Sequence, residues 1–269
     1  MGIANKVIIS VAPVSAVPHH IDSQLLAAEI INCATAGAAM VHLHVRDADG
    51  YLTDDLSEFT ACVNEVRKGS DIILQASTGG VSEMDIAQRC APLFLPMVET
   101  CSLNVGSVNL GTAIYQNPIA DVETCVKILL EQNKMPEIEI FELGMIETVR
   151  RLDAKYGLPR PLMMNLVVGH EGGCPANPRA LTALWQYLNQ DLWGFTQAHR
   201  KDFTLMACAI GLGARLVRIG LEDSPYLEGG FVTENPPLVA ALANLVRCMG
   251  LEVATPQEAR EILGLEVLA

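Results

Sequence analysis

Two histidines, two residues apart in the apolar run Val41-His42-Leu43-His44-Val45-Arg46-Asp47, are the side chains best spaced to do chemistry. On a strand, alternate side chains share a face, so His42 and His44 point one way and Val41, Leu43 and Val45 the other. Two imidazoles converging at a strand end are two of the three protein ligands a catalytic metal needs. A carboxylate for the third position stands in Val217-Arg218-Ile219-Gly220-Leu221-Glu222-Asp223. Gly220 breaks that run, Glu222 could complete a His-His-Glu set, and Arg218 could hold Asp223 ionised as a base. The plainer reading is a pair of satisfied histidines and a solvated acidic loop.

Further polar groups end other apolar runs. Ser77-Thr78-Gly79-Gly80 could form a nest of backbone N–H groups for a carboxylate, or only a turn. Ser102 and Asn104 close a fourth run, where Asn104 could equally cap the following loop. Glu139 alternates with Ile138 and Ile140, so it faces away from them, into a mouth or toward an outer lysine. Glu142 fits a helix N-terminal charge as well as a site role.

These groups need a scaffold that brings strand ends together. Strand patterns fall at 7–11, 40–45, 72–76, 97–103, 137–141, 162–168, 192–196 and 216–220, the seventh being the weakest. Helical patterns alternate with them at 21–37, 56–66, 84–90, 121–132, 145–156, 178–189, 203–211 and 237–249, with a last one at 256–263. Asp22 or Ser23 suits the first N-cap. Eight such units in one chain predict an α/β fold, a single (β/α)8 TIM barrel spanning 1–269. A doubly wound sheet is the competitor, but no Gly-x-Gly-x-x-Gly joins the first strand to the first helix. In a barrel, the polar groups above would share the C-terminal mouth.

The chain has 269 residues, 50% of them hydrophobic and 18% charged, enough for a large core. A net charge of -13 argues against nucleic-acid or anionic-membrane partners, though not against an anionic small substrate. The eight cysteines form no C-x-x-C pair and read as reduced thiols. No leader pattern and no membrane-length apolar run is present, so a cytoplasmic location is expected.

On these motifs, with Ser102-Leu103-Asn104-Val105-Gly106-Ser107 and the ending at 254–263, the chain resembles the β-keto acid cleavage enzyme family, the group typified by 3-keto-5-aminohexanoate cleavage enzyme. The resemblance implies a TIM barrel with Zn2+ at its mouth and an acyltransferase reaction. A β-keto acid and acetyl-CoA would give acetoacetate and a new acyl-CoA. It implies His42, His44 and Glu222 as zinc ligands, and Asp223 as the base oriented by Arg218. Ser77, Ser102 and Glu139 match further active-site positions, Ser102 standing where the typical member has Thr. With Thr78, Gly79, Gly80 and Asn104 they make up the expected substrate contacts, and Arg200 is a candidate for the CoA phosphates or a solvated charge. A homo-oligomer, tetrameric by resemblance, is also implied.

Departures bear on the substrate. Members acting on an amino-bearing keto acid carry an acidic residue at the position aligned with Val17. Without it an ammonium group would go unpaired, so a neutral or apolar side chain is expected. His170-Glu171 stand where an apolar-Pro pair is expected, as substrate contacts or loop lining. His19-His20 could be extra ligands but suit a surface loop better, and His199 and Lys201 flank Arg200 with no role assigned. A zinc aldolase or hydrolase working without acetyl-CoA, and a non-catalytic binding protein on the same barrel, are the alternatives.

Overall fold

A computed structural model describes residues 3–189 and 191–265; the outermost residues of the expected 1–269 domain lie outside them. Eight parallel strands form a closed barrel. They are β1 (Lys6–Val11), β2 (Met40–Leu43), β3 (Ile73–Ser77), β4 (Thr100–Asn104), β5 (Met135–Ile140), β6 (Met163–Val168), β7 (Leu192–Gln197) and β8 (Leu216–Ile219). Each pairs with the next, and β8 returns to β1 with Ser10 opposite Arg218. The expected TIM barrel is thus observed.

Helices connect the strands: α1 (Ser23–Ala36), α2 (Ser57–Gly69), α3 (Ile86–Arg89), α4 (Ile119–Glu131), α5 (Leu143–Tyr156), α6 (Pro178–Tyr187), α7 (Thr204–Gly211), α8 (Pro236–Cys248) and α9 (Pro256–Leu263). Asp22 caps α1 by accepting from the N–H groups of Gln24 and Leu25. None of these helices is long and apolar enough to cross a membrane. The eight cysteines are free.

Period-two alternation sorts every strand. Outward residues such as Val41, Leu43, Leu74, Ile138, Ile140, Leu166, Phe195 and Val217 join the large core under the helices. Inward residues at the N-terminal end, Ile8, Met40, Ile73, Met135, Met163 and Leu216, form a separate apolar floor. Further up, the same inward phase carries Ser10, His42, Gln75, Glu137, Asn165, Thr196 and Arg218, all buried. The barrel interior therefore passes from apolar floor to polar mouth along each strand.

The seventh strand is a full member. Its weak pattern comes from Gly194, where a Cβ would lie 2.7 Å from the Met163 side chain and 3.0 Å from Leu216 O. A larger inward residue would displace the floor. Three additions have no counterpart in the sequence patterns. Val108–Leu110 and Ala113–Tyr115 form one hairpin, Tyr226–Leu227 and Gly230–Phe231 a second, and Glu252–Val253 adds a short parallel strand to β1.

Helix α9 closes the floor with Ala259, Ile262 and Leu263. Buried Arg260 fastens it, donating to both Glu99 carboxylate oxygens at 2.6 and 2.9 Å and to Asp71 O at 2.8 Å. Arg67 adds a third donor to Glu99 at 2.7 Å. Removing one partner of such a buried pair strands the other charge. Glu99→Gln should cost about 3 kcal/mol in urea unfolding, without altering ligand binding at the opposite end of the barrel.

Candidate active site

The C-terminal rim gathers the expected groups from opposite ends of the sequence. His42 lies within β2 and His44 one residue beyond it, both on the inward phase. The turn after β8 supplies the carboxylates, and its path depends on Gly220. A Cβ there would sit 2.1 Å from Ala12 O, so only glycine lets the chain cross the end of β1 this closely. Glu222 N–H then donates to Ala12 O at 3.2 Å, and the Asp223 and Ser224 N–H groups fold back onto Gly220 O. Buried Asn235 pins the turn by accepting from Leu221 N–H and donating to Pro13 O. This geometry sends two adjacent carboxylates to different partners.

Glu222 faces the histidines. Its Oε1 lies 3.8 Å from His42 Nε2 and 3.4 Å from His44 Nε2, and the two Nε2 atoms are 3.4 Å apart. Tetrahedral bonds of about 2.0–2.1 Å hold ligand atoms roughly 3.3 Å from one another. Two imidazole nitrogens and a carboxylate oxygen at these separations fit a divalent metal with a position left for substrate. Burial, then the Arg218 charge, lowers His42 to about 3, so its imidazole is neutral and available as a ligand. Burial opposes the Glu222 charge, yet His44, His42 and Arg218 together hold it well below the usual carboxylate range.

Asp223 faces Arg218. The guanidinium donates from Nε to Oδ2 at 3.0 Å and from Nη2 to Oδ1 at 2.5 Å, a two-point pair that fixes the carboxylate plane. Arg218 also reaches Glu222 at 3.3 Å and Glu139 at 3.5 Å. Burial pushes Asp223 up despite Arg218, which strengthens it as a base. Burial likewise raises Glu139 to about 7 against the pull of Arg218.

These groups open into a cavity of about 770 Å³. His42, His44, Glu139, Arg218, Glu222 and Asp223 form its polar end; Leu52, Val81, Met84, Leu110, Phe141 and Val167 form apolar walls. Of the expected substrate contacts, Gly80 and Glu139 line it. Ser77 and Ser102 are buried beside it and bond each other at 3.3 Å. Thr78 donates to Ser102 O, and Gly79 N–H donates to Ser77 Oγ. Gly79 is pressed under Tyr115, whose Oη would lie 1.7 Å from any Cβ there. Asn104 accepts from Gly106 N–H, the loop-capping geometry.

Arg200 is buried rather than solvated. It donates to Tyr226 O at 2.7 Å and stacks 4.2 Å from the Phe203 ring centroid. His170 lines the cavity, within an aromatic file that runs Tyr115, Phe141, His170, His199 at centroid spacings of 6.2, 5.8 and 6.0 Å. Burial lowers His170 to about 4, so it presents a neutral ring. Val17 is 72% exposed, while its neighbours Ala16 and Pro18 line the cavity.

Sequence reading missed a buried polar chain beneath the histidines. His42 Nδ1 lies 2.6 Å from Gln75 Oε1; Gln75 Nε2 donates to Glu137 at 2.9 Å; and Asn165 Nδ2 donates to Glu137 at 2.5 Å and to Thr196 Oγ1 at 2.9 Å. Lone polar residues on the inward phase of apolar strands were the available signal.

A profile of the family described as "beta-keto acid cleavage enzyme" matches residues 6–265. A 3-keto-5-aminohexanoate cleavage enzyme of Fusobacterium nucleatum is 34% identical over 255 residues, 93% of this chain and 92% of that protein. A 3,5-dioxohexanoate:acetyl-CoA acetone transferase of Paraburkholderia graminis is 27% identical, covering 99% and 98%. Among solved structures, the binary complex of ObcA with oxaloacetate superposes with a TM-score of 0.80 at 20% identity, covering 92% of this chain and 67% of that one. That likeness bears on the fold.

The triad geometry sets a direct expectation. Zn2+ added at 100 times its Kd should stabilise the protein by about 2.7 kcal/mol in calorimetry. His44→Ala, which removes the more exposed imidazole, should abolish that gain.

Proposed function

Because this chain belongs to the β-keto acid cleavage enzyme family, we propose that it transfers acyl groups between a β-keto acid and acetyl-CoA at this rim, yielding acetoacetate and a new acyl-CoA. The observation that carries the proposal is the Arg218–Asp223 two-point pair set beside a His-His-Glu ligand set. His42, His44 and Glu222 would hold zinc, which when bound supplies Lewis-acid stabilisation of the substrate's developing enolate. Asp223, aligned by Arg218, takes the proton from the carbon between keto and carboxylate groups. That carbon attacks the thioester carbonyl of acetyl-CoA, forming a carbon–carbon bond and expelling the CoA thiolate. The thiolate then attacks the original keto carbonyl. Cleavage of the old carbon–carbon bond releases the new acyl-CoA, and the proton from Asp223 returns to the carbanion as acetoacetate.

The cavity walls favour a substrate side chain that is neutral or apolar. The cations lining the cavity are Arg46 and Arg218. Arg218 is engaged by carboxylates, and Arg46 donates to Gly50 O at 2.6 Å. A second substrate carboxylate would meet Arg218 already ion-paired and Arg46 already bonded through Nη1, its unpaired Nε buried. An ammonium group would face the wall of Leu52, Val81, Met84 and Leu110, whose one carboxylate, Glu83, is exposed to solvent. The acetyl-CoA half of the proposal takes its support from the name of the Paraburkholderia relative.

A panel of β-keto acids with acetyl-CoA, followed by chromatography of acetoacetate and acyl-CoA, tests this. Neutral side chains should exceed amino-bearing and dicarboxylic ones by about 100-fold or more in kcat/KM. Keto acid cleavage that proceeds equally without acetyl-CoA would point to an aldolase or hydrolase instead. Asp223→Asn should retain its zinc and lose about 10²–10⁴-fold in kcat; a zinc-replete, fully active variant would refute the base assignment.

A further inference from the structure

The polar chain beneath the histidines touches neither the cavity nor any substrate, yet it ends on a ligand. We propose that Glu137 and Gln75 are positioning residues that dictate which nitrogen of His42 carries its proton, and so keep Nε2 free for the metal. This rests on the metal reading of His42, His44 and Glu222, and is independent of the substrate and the reaction.

Glu137 is buried and meets an amide N–H on each oxygen. Gln75 Nε2 reaches one at 2.9 Å and Asn165 Nδ2 the other at 2.5 Å. A proton on either oxygen would face another proton, so this arrangement belongs to the ionised carboxylate, which can only accept. Burial leaves the Glu137 pKa raised, with the donors Gln75 and Asn165 and the Arg218 charge opposing it, so the ionised form is assigned from the two donors it faces. An acceptor-only neighbour fixes the Gln75 amide: its NH2 turns to Glu137 and its carbonyl to His42. The 2.6 Å contact between Gln75 Oε1 and His42 Nδ1 then requires a proton on Nδ1. Neutral imidazole has one N–H, so Nε2 is left with its lone pair, aimed at His44 and Glu222. A hydrogen bond from the far nitrogen also raises the basicity of the ligand nitrogen.

Glu137→Gln tests this, because its own amide can donate. Gln75 can then turn over and offer NH2 to His42 Nδ1, which drives the proton to Nε2. Imidazole ¹⁵N spectra of the metal-free protein should show His42 as the Nδ1–H tautomer in the native chain and a substantial Nε2–H population in Glu137→Gln. Zn2+ affinity, by competition with a chromophoric chelator, should fall about 10–100-fold. Gln75→Leu provides a second route to the same tautomer loss if Glu137→Gln does not fold. Glu99→Gln, which weakens the barrel from its far end, should leave both readouts unchanged. Retention of a pure Nδ1–H tautomer in the folded site variants would overturn the proposal, as would an equal affinity loss in Glu99→Gln. Failure of the native protein to bind Zn2+ would instead remove the metal reading itself.

Discussion

A guanidinium buried among carboxylates is the interaction around which this protein's mouth is organised. Arg218 is 4% exposed and contacts Asp223, Glu222 and Glu139 at once. A buried cation must be matched, and here it is overmatched: three carboxylates surround one arginine, with Glu137 close below. Burial pushes Asp223 and Glu139 upward, while Glu222 is held down by the two histidines and Arg218. The surplus of carboxylates beside two imidazoles is the charge pattern a divalent cation balances. The same surplus that suits a metal also sharpens the neighbouring Asp223 as a base.

The scaffold supports this cluster through a polarity gradient along each strand. Floor residues such as Met40, Met135 and Met163 pack in one buried apolar cluster, and α9 seals them. Two residues further along the same phase, His42, Glu137 and Asn165 build the polar chain. Rigid strands thus carry the groups that need precise placement. The loops carry the walls. The 108–115 hairpin brings Leu110 and Tyr115 over the cavity, and the segment after β6 brings His170. Gly111 N–H donates to Glu171 O, so these two wall segments are fastened to each other.

Much of this was legible in the residues because it depends on local pattern. His42 and His44 share a face by strand periodicity alone, and Gly220 announces the turn that separates Glu222 from Asp223. The eight strands also follow from periodicity, most weakly the seventh, where Gly194 gives up its own side chain to make room for that of Met163. What could not be read depends on register between strands far apart in sequence. Gln75 meets His42 because Gln75 pairs opposite it in the β2–β3 ladder. Glu137 reaches Gln75 across the barrel interior, and nothing in Met135–Ile140 names that partner. Arg200 shows the converse: a His-Arg-Lys run suggests solvent, but the hairpin at 226–231 brings Tyr226 to cover it.

The crossing of Gly220 over Ala12 joins the last barrel strand to the first, and this has a temporal side. The chain is synthesised from its N-terminus, and domains organise as they emerge. His42 and His44 are present early, with a hydrogen-bond partner, Gln75, not far behind. Glu222, which would complete the set, arrives only after all eight strands have been made. Until β8 docks against β1, the two histidines stand without that carboxylate. A metal held by all three groups would therefore mark the completed ring.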